Sequence, residues 1–213
     1  GWLLSHIIGI SAFLLPRFFG VAQPEMRALM SEWRRAAILA GVTGGLIISS
    51  YVIEAYASAP RLSAALRLAA AGGYLIHALP WREVTWRPTL ALGARGALVL
   101  LMAGLLFPMI WPFQRVAGLH VVFIGGFTML AFTVATRVVL GHSGNAHLFG
   151  RRIPPLAIAL VLLLLGVLLR TGGDFLPMQR NSWLPQASYA WMLAAMIWGC
   201  WVFPKVRTPD REE

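Results

Sequence analysis

The sequence predicts an all-α polytopic transmembrane bundle of about seven helices. Of its 213 residues, 58% are hydrophobic and only 12% are charged, whereas a soluble domain averages about a quarter charged. The apolar residues form long blocks, and a transmembrane helix needs about 20 mostly apolar residues. The net charge is +10, but no polar segment is long enough for a nucleic-acid surface. The lipid bilayer is the predicted partner, and nucleic acid is excluded.

Hydropathy and length place the predicted spans in order along the chain. They cover approximately residues 2–15, 36–58, 62–81, 90–111, 116–140, 154–169 and 187–203. Pro108 and Pro112 close the fourth span, and Pro154 suits the first turn of the sixth. We therefore predict one transmembrane domain over residues 1–204 and a polar tail over residues 205–213.

The basic residues predict the orientation of the bundle. Most of the 18 Lys and Arg residues fall on one side when the predicted spans alternate across the membrane. Positive charge collects on the cytoplasmic side of membrane proteins. The C-terminus should therefore be cytoplasmic, and the first, third, fifth and seventh helices should run inward.

Two histidines are predicted at the same depth near the outer side. His6 lies about four residues inside the first span and His120 about four inside the fifth, so both imidazoles lie roughly 6 Å below the interface. Such a pair could supply both axial ligands of a haem or two ligands of a copper ion. In the alternative, each imidazole only caps a helix or bonds a nearby polar group, such as Ser5 or Tyr189.

Three further residues are candidates near the inner side. His77 follows the pair Gly72–Gly73, which would admit either a flat cofactor or, more ordinarily, a neighbouring helix. Arg137 lies roughly 25 Å from His120 along the helix, so it would serve a separate site, binding a haem propionate or a lipid phosphate. Its alternative is to snorkel to the interface. His142 is flanked by glycines, and a tight turn would present it to a ligand or leave it on the surface.

A second set of ionisable residues suggests another class of function. Glu54 and Arg67 are both predicted near the outer side, where they could form an ion pair. With His77 and Arg95 they could also line the polar path of a transporter or channel. The sequence has no HExxH motif, no phosphate-binding loop and no nucleophile elbow, so nothing in it establishes catalytic turnover.

The segment from His120 to Gly144 resembles the hallmark stretch of the NnrS family. These bacterial inner-membrane proteins contain haem and copper and are linked to nitric oxide stress and denitrification. The residues that carry the resemblance are His120, Gly125, Gly126, Met129, Arg137, Leu140, Gly141, His142, Ser143 and Gly144. The resemblance implies binding of haem and of copper, with His120 the first candidate ligand and His142, Arg137 and His6 after it.

The resemblance is to the C-terminal half of the family. Family members have more spans than this chain, and their N-terminal His-His-Glu-Met motif has no counterpart here. The chain also opens at Gly1 directly into apolar sequence. We therefore expect a fragment or half-length relative, with the missing half or another membrane subunit as a partner. A structural subunit of a redox complex is the remaining alternative.

Overall fold

The computed structural model describes Leu4, residues 26–78 and residues 88–207, and within these ranges every regular element is helical. The helices are α1 Met26–Ala57, α2 Pro60–Ala78, α3 Thr89–Ile110, α4 Arg115–His120, a π-helix Val121–Thr128, α5 Met129–His142, α6 Pro154–Phe175 and α7 Arg180–Val206. Short 3-10 turns lie at Pro112–Gln114, Ala146–Leu148 and Pro177–Gln179. The predicted all-α fold is confirmed.

Five of the described helical segments are long and apolar enough to cross a membrane, and the chain is a multi-pass membrane protein. They are Arg34–Ala57, Thr89–Ile110, Pro112–His142, Pro154–Phe175 and Pro177–Val206. The third predicted span corresponds to α2, which is helical but is not one of the five. The first predicted span lies outside the described residues apart from Leu4. At the C-terminus, α7 continues through Lys205 to Val206.

The chain divides into two compact units. The first comprises Gly1–Thr85 and Pro108–Phe113, and the second comprises Trp86–Phe107 and Gln114–Glu213. In the described part of the first unit, α1 and α2 form a helical hairpin joined at Ser58 and Ala59. Ser58 has a positive φ of 50°, a backbone conformation found at sharp turns.

The second unit is an up-and-down arrangement of four helical segments. Its second segment is a single helix, Pro112–His142, which we call the long helix; it comprises the turn at its start, α4, the π-helix and α5. The long helix runs antiparallel to α3, since Gly93 lies against Thr133 and Gly104 against Val122. Likewise α7 runs antiparallel to α6, whose Gly172 lies against Trp183. His120 and His142 therefore lie towards opposite ends of this unit.

Backbone contacts fix how the long helix packs on α3. A Cβ added at Gly104 would lie 2.5 Å from Val122 Cγ2 and 2.8 Å from the backbone nitrogen of Val122. A Cβ at Gly118 would lie 2.7 Å from Phe107 Cβ, and one at Gly125 would lie 2.9 Å from Leu100 Cβ. Small residues allow this approach, which supplies van der Waals contact where lipid offers little hydrophobic driving force. The glycines therefore set the distance and the rotation of the two helices.

The π-helix lies in the middle of this contact. It begins at Val121, directly after His120. The hydroxyl of Thr128 donates to the carbonyl of Phe123 at 3.0 Å, five residues earlier. π-helices are rare and frequently lie at functional sites. This one begins directly after His120, which makes His120 the first histidine to consider as a ligand.

Polar contacts connect the remaining helices of the second unit. Trp198 Nε1 on α7 donates to Thr136 Oγ1 on α5 at 2.8 Å, and the Trp198 ring stacks on Phe132 with centroids 4.5 Å apart. The backbone N–H of Ile153, at the start of α6, donates to Thr89 Oγ1 of α3 at 2.9 Å. These two hydrogen bonds, one buried and one partly buried, align the helices at the end of the unit that lies furthest from His120.

We predict that Gly104→Ala lowers the stability of the protein, because the new methyl group meets the backbone of Val122 and Gly118. Overpacking of this kind costs about 1–3 kcal/mol. Gly199→Ala is the matched control, since nothing lies within 4 Å of a Cβ there. Thermal unfolding in detergent should show a lower midpoint for Gly104→Ala alone. Equal midpoints for the two variants would contradict the proposed packing constraint.

Candidate functional site

His120 is a half-buried residue at the end of α4. Its Nδ1 lies 2.7 Å from the carbonyl oxygen of Val116, one helical turn earlier. A carbonyl oxygen only accepts hydrogen bonds, so Nδ1 carries the proton and donates it. In the neutral ring this leaves the lone pair on Nε2. The helix thus holds the imidazole in the tautomer that coordinates a metal through Nε2, with a backbone carbonyl as the orienting partner.

The surface beside His120 is apolar and exposed. Val116 is 51% exposed and Phe123 is 46% exposed, one turn before and one turn after the histidine. The Phe123 ring meets that of Phe127 edge to face, with centroids 5.5 Å apart. On the opposite side of the helix, Gly118 is buried against Phe107. The imidazole therefore lies on a flat apolar face of the second unit.

The described residues bring no second ligand to His120. No group of three or more His, Cys, Asp or Glu side chains that could hold a metal occurs among them. His6, the predicted partner at the same depth, lies outside the described residues. The role of His6 as a ligand stays a prediction.

His77 lies on the surface of the first unit. It is an exposed residue in the last turn of α2, where a histidine also interacts favourably with the helix dipole. Nothing lies within 4 Å of a Cβ added at the preceding Gly73. Among the described residues, therefore, no close helix approach accounts for that glycine, and a planar cofactor would find open space there.

Arg137 and His142 lie at the other end of the long helix, on the order of 25 Å and 33 Å from His120, respectively. The guanidinium carbon of Arg137 lies 4.3 Å from the centroid of the Phe149 ring. Phe149 follows the turn Ala146–Leu148, and its ring lies 3.6 Å from a Cβ built on Gly141. The Phe149 ring thus packs on the backbone of α5 at Gly141, at ordinary van der Waals distance, while its face covers the Arg137 guanidinium.

The glycine after His142 terminates the helix. Gly144 has a φ of +68°, and the N–H of Asn145 donates to the carbonyl of Leu140 at 2.9 Å. A left-handed residue followed by this six-to-one hydrogen bond is a Schellman motif. His142 itself is exposed in the last turn of α5. A helix end presents this histidine, rather than the glycine-flanked tight turn that the sequence suggested.

The predicted pairing of Glu54 with Arg67 is confirmed within the first unit. Arg67 Nη2 bonds Glu54 Oε2, and the two side chains are only 8% and 11% exposed. Arg67 Nε also donates to the carbonyl of Ser63 at 3.1 Å, and its guanidinium lies 4.2 Å from the Tyr51 ring centroid. Arg95 is buried in α3. Glu54 and Arg67, two of the four residues proposed for a transport path, therefore neutralise each other.

Sequence reasoning missed three features of these sites. Val116 precedes His120 by four residues, which is the spacing of an intrahelical acceptor and could have been recognised. The contact of Phe149 with Arg137 depends on how the turn after α5 folds back, and no local signal predicts it. The π-helix likewise has no sequence signature, since Gly125 and Gly126 are equally compatible with an ordinary α-helix.

Comparison with protein families gave one match. The family model described as NnrS protein matches residues 1–209. The resemblance first seen between His120 and Gly144 thus extends over nearly the whole chain. Comparisons with curated proteins and with solved structures found no match.

We predict that Glu54→Leu destabilises the protein by about 3–5 kcal/mol, because it leaves the buried Arg67 charge uncompensated. The double variant Glu54→Leu/Arg67→Leu should recover most of this loss, since it removes both charges. Chemical denaturation in detergent micelles would measure the wild type, the single variants Glu54→Leu and Arg67→Leu, and the double variant. A double variant as unstable as the sum of the two single variants would show that the pair is not coupled.

Proposed function

The chain belongs to the NnrS family, and on that premise we propose that it binds haem through His120 and acts in protection against nitric oxide or related nitrosative stress. The observation that carries the proposal is the 2.7 Å contact of His120 Nδ1 with the carbonyl of Val116. It leaves Nε2 as a metal-ligating atom, as in most protein-bound haem and metal sites.

The surroundings of His120 fit a haem. An axial histidine needs an unprotonated ring nitrogen directed towards an apolar surface large enough for the macrocycle. The exposed side chains of Val116 and Phe123 would contribute to such a surface on either side of the imidazole. When bound, the haem iron would supply a coordination position for a small ligand such as nitric oxide. The residues of this chain would hold and orient the cofactor and exclude water from one of its faces.

Copper is the second cofactor we propose, and its site requires several protein ligands. Imidazole nitrogen is a suitable copper ligand, but a copper site needs more than the one histidine that the described residues provide here. His6 is our candidate for the additional ligand because the sequence places it at the same depth as His120. A partner membrane subunit could supply further ligands to the same exposed face.

Arg137, His142 and His77 would serve other sites. The separation of roughly 25 Å along the long helix prevents Arg137 and His142 from contacting a cofactor centred on His120. His142 is exposed in the last helical turn and could ligate a cofactor only at the opposite end. We place that end, with the C-terminus, on the cytoplasmic side of a bacterial inner membrane, as the distribution of basic residues indicates.

We predict that protein produced with haem supplied shows a Soret absorption band, and that His120→Ala loses it because the axial ligand is gone. His147→Ala is the matched control and should retain the band, since His147 is exposed in the turn after α5, at the end of the second unit opposite to His120. His142→Ala should retain it as well. Size-exclusion profiles would show that each variant is folded. A folded His120→Ala variant with an unchanged Soret band would refute the assignment.

A further inference from the structure

Cations collect at the end of the second unit opposite to His120. They are Arg137, Arg151, Arg152, Lys205 and Arg207. Among the described residues of this unit, the one carboxylate side chain is Asp174, which lies near the end of α6 and bonds Arg170 at 3.1 Å. Since α6 starts at the cationic end, this carboxylate is a full helix length away.

Aromatic rings position three of these cations. Arg137 lies over Phe149, with 4.3 Å between the guanidinium carbon and the ring centroid. Lys205 Nζ lies 3.8 Å from the Trp201 ring centroid and also donates to the Trp201 carbonyl at 2.9 Å. Arg207 lies 4.6 Å from the Phe203 ring centroid. Aromatic rings beside basic residues are typical of the membrane–water interface, where lipid headgroups lie.

Arg151 and Arg152 differ from the other three. Both are exposed, and neither guanidinium makes a hydrogen bond or an ion pair within the described parts of the chain. Their backbone, however, is fixed: the N–H of Arg151 donates to the carbonyl of Leu148 at 3.0 Å. The N–H of Ile153, directly after Arg152, donates to the buried Thr89 hydroxyl at 2.9 Å. Two adjacent guanidinium groups thus extend from an ordered turn, two residues beyond Phe149.

From this arrangement we infer that Arg151 and Arg152 bind the phosphate of an anionic phospholipid headgroup. Guanidinium groups bind phosphate oxygens through paired N–H donors. The aromatic rings place the site at headgroup depth, and an extended apolar surface continues below it for the acyl chains, as the exposed Val138 and Ile158 show. A haem propionate is excluded as the occupant if the haem is bound at His120, because of the distance between the two ends.

Lipid retention by the 213-residue chain tests the inference. Purified protein in mild detergent would be mixed with phosphatidylglycerol, with phosphatidylcholine, or with inorganic phosphate, and bound lipid would be counted by native mass spectrometry. Each surface cation contributes about fivefold to the binding of anionic lipid. We therefore expect Arg151→Gln/Arg152→Gln to bind phosphatidylglycerol roughly 25-fold more weakly than the wild type. Binding of phosphatidylcholine should be unchanged.

Two further variants test whether the loss of phosphatidylglycerol binding is specific to the charge at Arg151 and Arg152. Arg180→Gln removes an exposed cation at the opposite end of α7 and should leave phosphatidylglycerol binding unchanged. Arg151→Lys/Arg152→Lys keeps the charge and should retain most of the binding. Equal losses in Arg180→Gln and in the Arg151/Arg152 variant would overturn the inference. So would wild-type binding of phosphatidylcholine equal to that of phosphatidylglycerol, or full displacement of the lipid by millimolar inorganic phosphate.

Discussion

The close approach of α3 and the long helix is the constraint on which the second unit depends. At Gly104 the two backbones are so near that a single added carbon would lie 2.8 Å from the nitrogen of Val122. The long helix therefore cannot turn about its axis without a clash. With Gly118 directed towards Phe107, His120, two residues later, lies on nearly the opposite face of the helix. Packing by glycine thus determines that the imidazole lies on the outside of the bundle.

Five of the seven spans that hydropathy predicts correspond to described helices that are long and apolar enough to cross a membrane, because length and apolar composition are what hydropathy detects. Depth along the helices also predicted the pairing of Glu54 with Arg67, since two opposite charges on neighbouring helices stabilise each other at membrane depth. Helix rotation could not be predicted in the same way. A pair such as Gly125–Gly126 permits close contact with any neighbour, and only the observed partner, α3, shows which face of the helix is covered.

The segment that carries the family resemblance combines two kinds of residue. Gly144 ends α5 through its left-handed conformation, and the Phe149 ring packs on α5 at Gly141. These glycines perform structural tasks that many helices require. His120 and Arg137 are different: a hydrogen bond to Val116 fixes the tautomer of the histidine, and the guanidinium lies over the Phe149 ring. The sequence motif alone could not separate these tasks, since the roles depend on contacts made across turns.

The distance between Arg137 and His120 on the long helix is close to the thickness of the bilayer core. The hydrocarbon core is about 30 Å thick, and Arg137 and His120 are roughly 25 Å apart. If the cations beside Arg137 are held among lipid headgroups, the long helix cannot slide along the membrane normal. His120 then lies just inside the opposite boundary of the core, in agreement with the depth estimated from the sequence. Anchoring at the cationic end would thereby keep the imidazole of His120 within reach of the water interface and next to the apolar side chains of Val116 and Phe123.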